Sequence, residues 1–68
     1  MYFYDWIDKK YIDDDGMKGV IARFLRKNLA VKCLSVEVIR DFMVRSKASS
    51  SCLGVFDGCV REYEREKH

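Results

Sequence analysis

The sequence predicts an all-α fold, a compact bundle of four to five helices forming a single domain over residues 1–68. Three observations predict it. Apolar residues recur at steps of three and four in four separate segments, the mark of a 3.6-residue period. Proline is absent and the four glycines are scattered, so no linker or low-complexity tract divides the chain. Hydrophobic residues make up 49% of the chain. That is enough for each helix to bring an apolar face to a core which, at this length, supplies only about 3–5 kcal/mol of net stability.

The first helix is expected from Tyr2 to Tyr11, where Phe3, Trp6, Ile7 and Tyr11 share one face. Asp5, Asp8, Lys9 and Lys10 do not alternate with apolar residues, which argues against a strand. The aromatic stripe of Phe3, Tyr4, Trp6 and Tyr11 reads as core rather than as a stacking platform. Tyr4 falls off the main apolar face and is expected to be partly exposed. The second helix is expected from Gly16 to Asn28, with Met17, Val20, Ile21, Phe24 and Leu25 inward. Asp13, Asp14 and Asp15 precede it, placed to accept bonds from first-turn amides and to oppose the positive end of the helix dipole. Asn28 is its stop signal.

Ser35 is the expected N-cap of the third helix, with Glu37 in the first turn. Val36, Val38, Ile39, Phe42 and Met43 form its apolar face, and it closes at Arg45 to Lys47. The fourth follows the cap region Ser49–Ser51 and runs to Lys67. Cys52, Phe56, Cys59 and Tyr63 align along it, with Leu53, Val55 and Val60 beside them. Gly54 and Gly58 each cost about 1 kcal/mol relative to alanine in a helix interior, and their spacing suggests close approach of another helix. The tail from Arg61 to Lys67 reads as mixed-charge and solvated. Helix four is expected to pack centrally.

With these elements placed, the chain resembles the YozE-like family of small bacterial proteins. The resemblance rests on Phe3-Tyr4-Asp5-Trp6-Ile7, the acidic turn before Gly16, Ala22-Arg23, Ile39 to Met43, and the closing run from Phe56 to Glu64. The chain departs from the family at Val60, where Trp is usual, and at Ala30 to Leu34, which replace a Phe-Pro connection. The resemblance implies a bundle similar to the sterile alpha motif. It carries over no catalytic residue.

The chemistry-bearing residues exclude more than they assign. In an EF-hand frame with Gly16 at loop position six, the outer ligand positions fall on Tyr11 and Ala22, neither a carboxylate. No Cys-x-x-Cys pair exists, and the single histidine, His68, stands at the terminus, so no zinc set is visible. Neither Ser nor Cys has a base in evident reach, and Glu62 and Glu66 sit on a charged helix end. Gly16-Met17-Lys18-Gly19 is not a phosphate loop. The expectation is a non-enzymatic protein with no cofactor, metal or small-molecule substrate. No apolar run reaches the length of a membrane span and no secretory signal opens the chain. The three cysteines then read as reduced thiols in the cytoplasm.

Charge is distributed unevenly. Residues 1–15 carry −3, residues 16–47 carry +6 and residues 48–68 carry −1. With Lys18 set at about 0°, Arg26, Arg23 and Lys27 fall between about 80° and 180°, opposite the apolar arc of helix two at about 200–340°. No acid dilutes this face after Asp15. Two partners follow as expectations. The first is another protein, met through exposed apolar residues such as Tyr4 and Val44. The alternative is nucleic acid, met through Lys18, Arg23, Arg26, Lys27 and Lys32, joined by Arg40, Arg45 and Lys47.

Overall fold

The computed structural model describes residues 1–67. Among them lie four α-helices, α1 (Phe3–Tyr11), α2 (Met17–Arg26), α3 (Val36–Arg45) and α4 (Ser50–Lys67), with a 3-10 turn at Leu29–Val31 between α2 and α3. The all-α expectation is correct, and the fifth element is that short turn rather than a full helix. Helix α4 packs against all three others, as expected, and α1 and α2 pack closely as a pair.

The core is built where the apolar stripes meet. Phe3, Trp6 and Ile7 of α1, Ile21 and Leu25 of α2, Ile39 and Met43 of α3, and Phe56 and Cys59 of α4 are all buried. Aromatic rings concentrate at one end. Phe3 meets Phe56 and Tyr63 edge-on at 5.4 Å, and Trp6 meets Tyr63 at 5.5 Å. Edge-to-face pairs of this kind add about 0.5–1.5 kcal/mol each beyond the area they bury.

Helix α2 departs from its predicted orientation. On the wheel with Lys18 at 0°, the buried residues Ile21, Leu25 and Ala22 centre at about 340°, whereas the apolar set centres at about 270°. The helix is thus turned so that small Ala22 faces the core. Val20 is left 49% exposed, Met17 is exposed, and Phe24 is only half-buried. Helix α3 behaves in the same way: Val38 is 48% exposed and Phe42 half-buried, while Ile39 and Met43 are buried.

The ends of the helices use side chains and one strained residue. Ser35 Oγ accepts from the Val38 amide at 3.4 Å and Ser49 Oγ from the Cys52 amide at 3.1 Å, both as expected of N-caps. The acidic run acts differently from the expectation. No side chain caps the first turn of α2, and Asp14 Oδ2 instead accepts from the Gly16 amide at 2.9 Å, holding the turn that precedes the helix. Asn28 closes α2 through its side chain, Nδ2 donating to the Phe24 carbonyl at 2.7 Å. After α3, the Ala48 amide bonds to the Met43 carbonyl and the Lys47 amide to the Val44 carbonyl. This is a Schellman closure, with Lys47 at φ 64° where glycine is favoured.

Of the glycines, Gly19 is the one that permits close approach. A Cβ there would lie 1.9 Å from the Asp14 carbonyl oxygen. Gly54 and Gly58 do not serve helix approach: a Cβ at either would meet no atom within 4 Å.

Candidate functional site

Of the basic residues expected to form one outward face, Arg23, Arg26, Lys27 and Lys32 are exposed and Lys18 is half-buried, and three of the five reach groups of the protein itself. Arg23 Nη1 donates to the backbone carbonyls of Ile12 and Asp14 at 3.0 and 3.1 Å, fastening the acidic turn to α2. Arg26 Nε faces Asp8 Oδ1 at 3.8 Å. Lys18 Nζ lies over the Tyr11 ring, 4.9 Å from its centroid. Of the wider set, Arg40 grips Asp57 with two bonds of 2.9 and 3.1 Å, joining α3 to α4, and Arg45 pairs with Asp41 at 3.4 Å one turn away. Lys27, Lys32 and Lys47 have no ion pair among the described residues. Across helices, Arg26 and Arg40 are the members of the basic block that meet an acid among the described residues. The sequence carried the charges but not the partners.

The tail of α4 is not simply solvated. Glu66 accepts from Trp6 Nε1 at 3.1 Å and from Lys10 Nζ, and Glu62 accepts from Tyr11 Oη and pairs with Lys10 at 3.5 Å. These bonds fix the protonation states. The carboxylate of Glu62 pushes the Tyr11 hydroxyl up to about 12, and the Tyr11 hydroxyl in turn holds Glu62 below the usual carboxylate range. Lys10 does the same for Glu66, and Arg40 for Asp57. Burial pushes the Cys59 thiol up, the reverse of what an activated nucleophile needs. Cys52 is half-buried and Cys33 exposed. His68 lies outside the described residues.

Of the two apolar residues expected at the surface, Val44 is 46% exposed, whereas Tyr4 is buried at 6% exposure. Its hydroxyl donates to the Arg26 carbonyl at 3.0 Å, and that partner at the end of α2 is what draws the ring inward.

The exposed apolar surface lies elsewhere, on the flank shared by α2 and α3. The rings of Phe24 and Phe42 meet across the two helices at 5.8 Å, tilted by 30°. A hollow of about 150 Å³ opens on the Phe24 side, lined by Val20, Ile21, Met43, Ser46, Ala48 and Cys52. A second, of about 310 Å³, opens on the Phe42 side, lined by Ala30, Val31, Leu34, Val38, Asp41 and Arg45. Leu29, in the 3-10 turn, is 71% exposed. The sequence held one signal for this flank. The apolar sets of α2 and α3 hold five residues each, of which Ile21 and Leu25, and Ile39 and Met43, are buried. No helix among the described residues is long and apolar enough to cross a membrane.

Comparison of the chain with known protein families, with curated proteins and with solved structures finds no match. The reading of the site thus rests on its own chemistry.

Proposed function

We propose that this chain is a non-enzymatic interaction module that engages a protein partner through the α2–α3 flank. One observation carries the reading: Val20 and Val38 are exposed beside the half-buried Phe24–Phe42 pair, and a hollow opens on each side of those rings. Exposed apolar surfaces with hollows are the places where hot-spot side chains anchor. A catalytic role finds less support, since Tyr11 is held protonated by Glu62 and Cys59 is buried with its thiol pushed up. The resemblance to the YozE-like family implies a sterile-alpha-motif-like bundle without a role, and we place the module in the bacterial cytoplasm.

A photo-crosslinking residue placed at Val38 tests the proposal, with one at Arg61 on α4 as control. A discrete protein adduct in cells from the Val38 position alone, abolished by Val20→Asp, is the expected result. Equal labelling at both positions, or none at Val38, overturns it.

Nucleic acid is the second reading, favoured by Lys27, Lys32 and Lys47, which are exposed and have no ion pair among the described residues. A fluorescence anisotropy titration with duplex DNA at about 50 mM salt tests it. Binding that weakens on raising the salt, with a log–log slope near −0.9 per phosphate neutralised, supports this reading.

A further inference from the structure

We infer that a hollow between the start of α1, the first turn of α3 and the end of α4 takes an arginine side chain of a partner protein. This hollow, of about 360 Å³, has aromatic walls from Tyr2, Phe3 and Tyr63 and carboxylates from Glu37 and Glu64. Tyr2 is 51% exposed and Tyr63 half-buried, so rings are open to a ligand there. No Lys, Arg or His among the described residues lines it. It shares only Leu34 with the hollows of the α2–α3 flank, and the inference does not rest on that flank.

The negative charge of this lining is unmatched within the fold. Glu37 and Glu64 are exposed, and neither has an ion pair or a side-chain hydrogen bond among the described residues. The basic residues nearest to them in the chain do not answer them. Arg40 is taken by Asp57, and Lys32, Arg61 and Arg65 neither line the hollow nor pair with either acid. The helix dipole accounts for Glu37, which sits in the first turn of α3 where negative charge is favoured. It counts against Glu64, which sits in the last turn of α4, at the negative end. Glu62 and Glu66, on the same stretch, are compensated by α1, and Glu64 is not. A guanidinium stays charged, donates to carboxylates through a planar fork and stacks on aromatic rings. The hollow offers carboxylates and rings in one lining. An acidic segment would be repelled from it, and a neutral one would gain nothing from its charge.

The experiment titrates the isotopically labelled full chain, followed by NMR, with three ligands. They are a short capped peptide built around one arginine, the same peptide with citrulline as its neutral isostere, and spermidine. The arginine peptide should shift the amides of Tyr2, Glu37, Tyr63 and Glu64. It should bind about tenfold tighter than the citrulline peptide, a difference of about 1.4 kcal/mol, and weaken as salt rises. Glu37→Gln with Glu64→Gln should erase the preference while the circular dichroism spectrum stays helical. Glu64→Gln alone, which relieves the dipole and so spares the fold, should already reduce it. Asp13→Asn, away from the hollow, should leave it unchanged. Equal binding of the citrulline peptide, shifts centred elsewhere, or a preference that survives the double substitution overturns the proposal. Spermidine that binds the hollow tighter than the arginine peptide assigns it to a free polyamine. Concentration-dependent shifts of the same residues without ligand assign it to a second copy of this chain. Either result overturns the arginine of a partner protein.

Discussion

The hydroxyl of Tyr4 donates to the carbonyl oxygen of Arg26 at 3.0 Å, tying the first turn of α1 to the last turn of α2. A helix ends with carbonyls that lack partners within it, and here a buried phenol from another helix satisfies one. Tyr4→Phe keeps the ring and removes the bond. It should lower stability by about 1 kcal/mol and the thermal midpoint by about 4–8 °C, read by circular dichroism melting. An unchanged midpoint would show that water replaces the phenol without loss.

The glycines should divide sharply. Gly54→Ala and Gly58→Ala add a methyl into open space on α4 and should each stabilise the fold by about 0.5–1 kcal/mol. Gly19→Ala drives a Cβ into the Asp14 carbonyl and should destabilise by about 1–3 kcal/mol or more. Urea unfolding of the three variants checks the order, and a destabilised Gly54→Ala would be inconsistent with the open surroundings described for it.

Much of the architecture was legible in the residues, because the 3.6-residue period, Ser35 and Ser49 are local signals whose physics acts within a turn. The rotation of α2 was not. It depends on Ala22 being small enough to let α2 settle closely into the bundle and on Arg23 reaching the Ile12 and Asp14 carbonyls, and both are set by other elements. The burial of Tyr4 and the capture of Glu62 and Glu66 by α1 were illegible for the same reason. Each joins residues far apart in the chain, and no spacing rule reaches across such a gap. The apolar flank was visible only as an excess of apolar residues assigned to the core.

Lys47 holds a left-handed conformation, φ 64°, that a side chain with a Cβ adopts at a cost of roughly 1–2 kcal/mol. Lys47→Gly should therefore raise stability by about 1 kcal/mol in chemical denaturation. Part of the relief is offset by the greater freedom glycine gives the unfolded chain. Lys47→Ala, which keeps the Cβ, should give little of that gain.

Stability should also bend at alkaline pH. The Tyr11 hydroxyl ordinarily titrates near 10 and is pushed up to about 12 by Glu62. A group raised on folding contributes in full below its unfolded value and loses that contribution as pH climbs through the folded one. The free energy of unfolding should thus decline between about pH 10 and 12. In Tyr11→Phe the slope should be shallower, with the remainder due to Lys10, raised by Glu66, and to Cys59, raised by burial. At the acid end the sign reverses. Glu62, Glu66 and Asp57 are all lowered, so their contribution is present above the usual carboxylate range and fades as pH falls below it.

The ring cluster that joins Phe3 and Trp6 to Phe56 and Tyr63 has a consequence for biosynthesis. Trp6 and its acceptor Glu66 are 60 positions apart. During synthesis the aromatic segment of α1 is made well before the residues of α4 that cover it. Until then the indole and phenyl rings lack the part of their native cover that α4 supplies. The native ring cluster therefore closes only once the residues of α4 that complete it have been made.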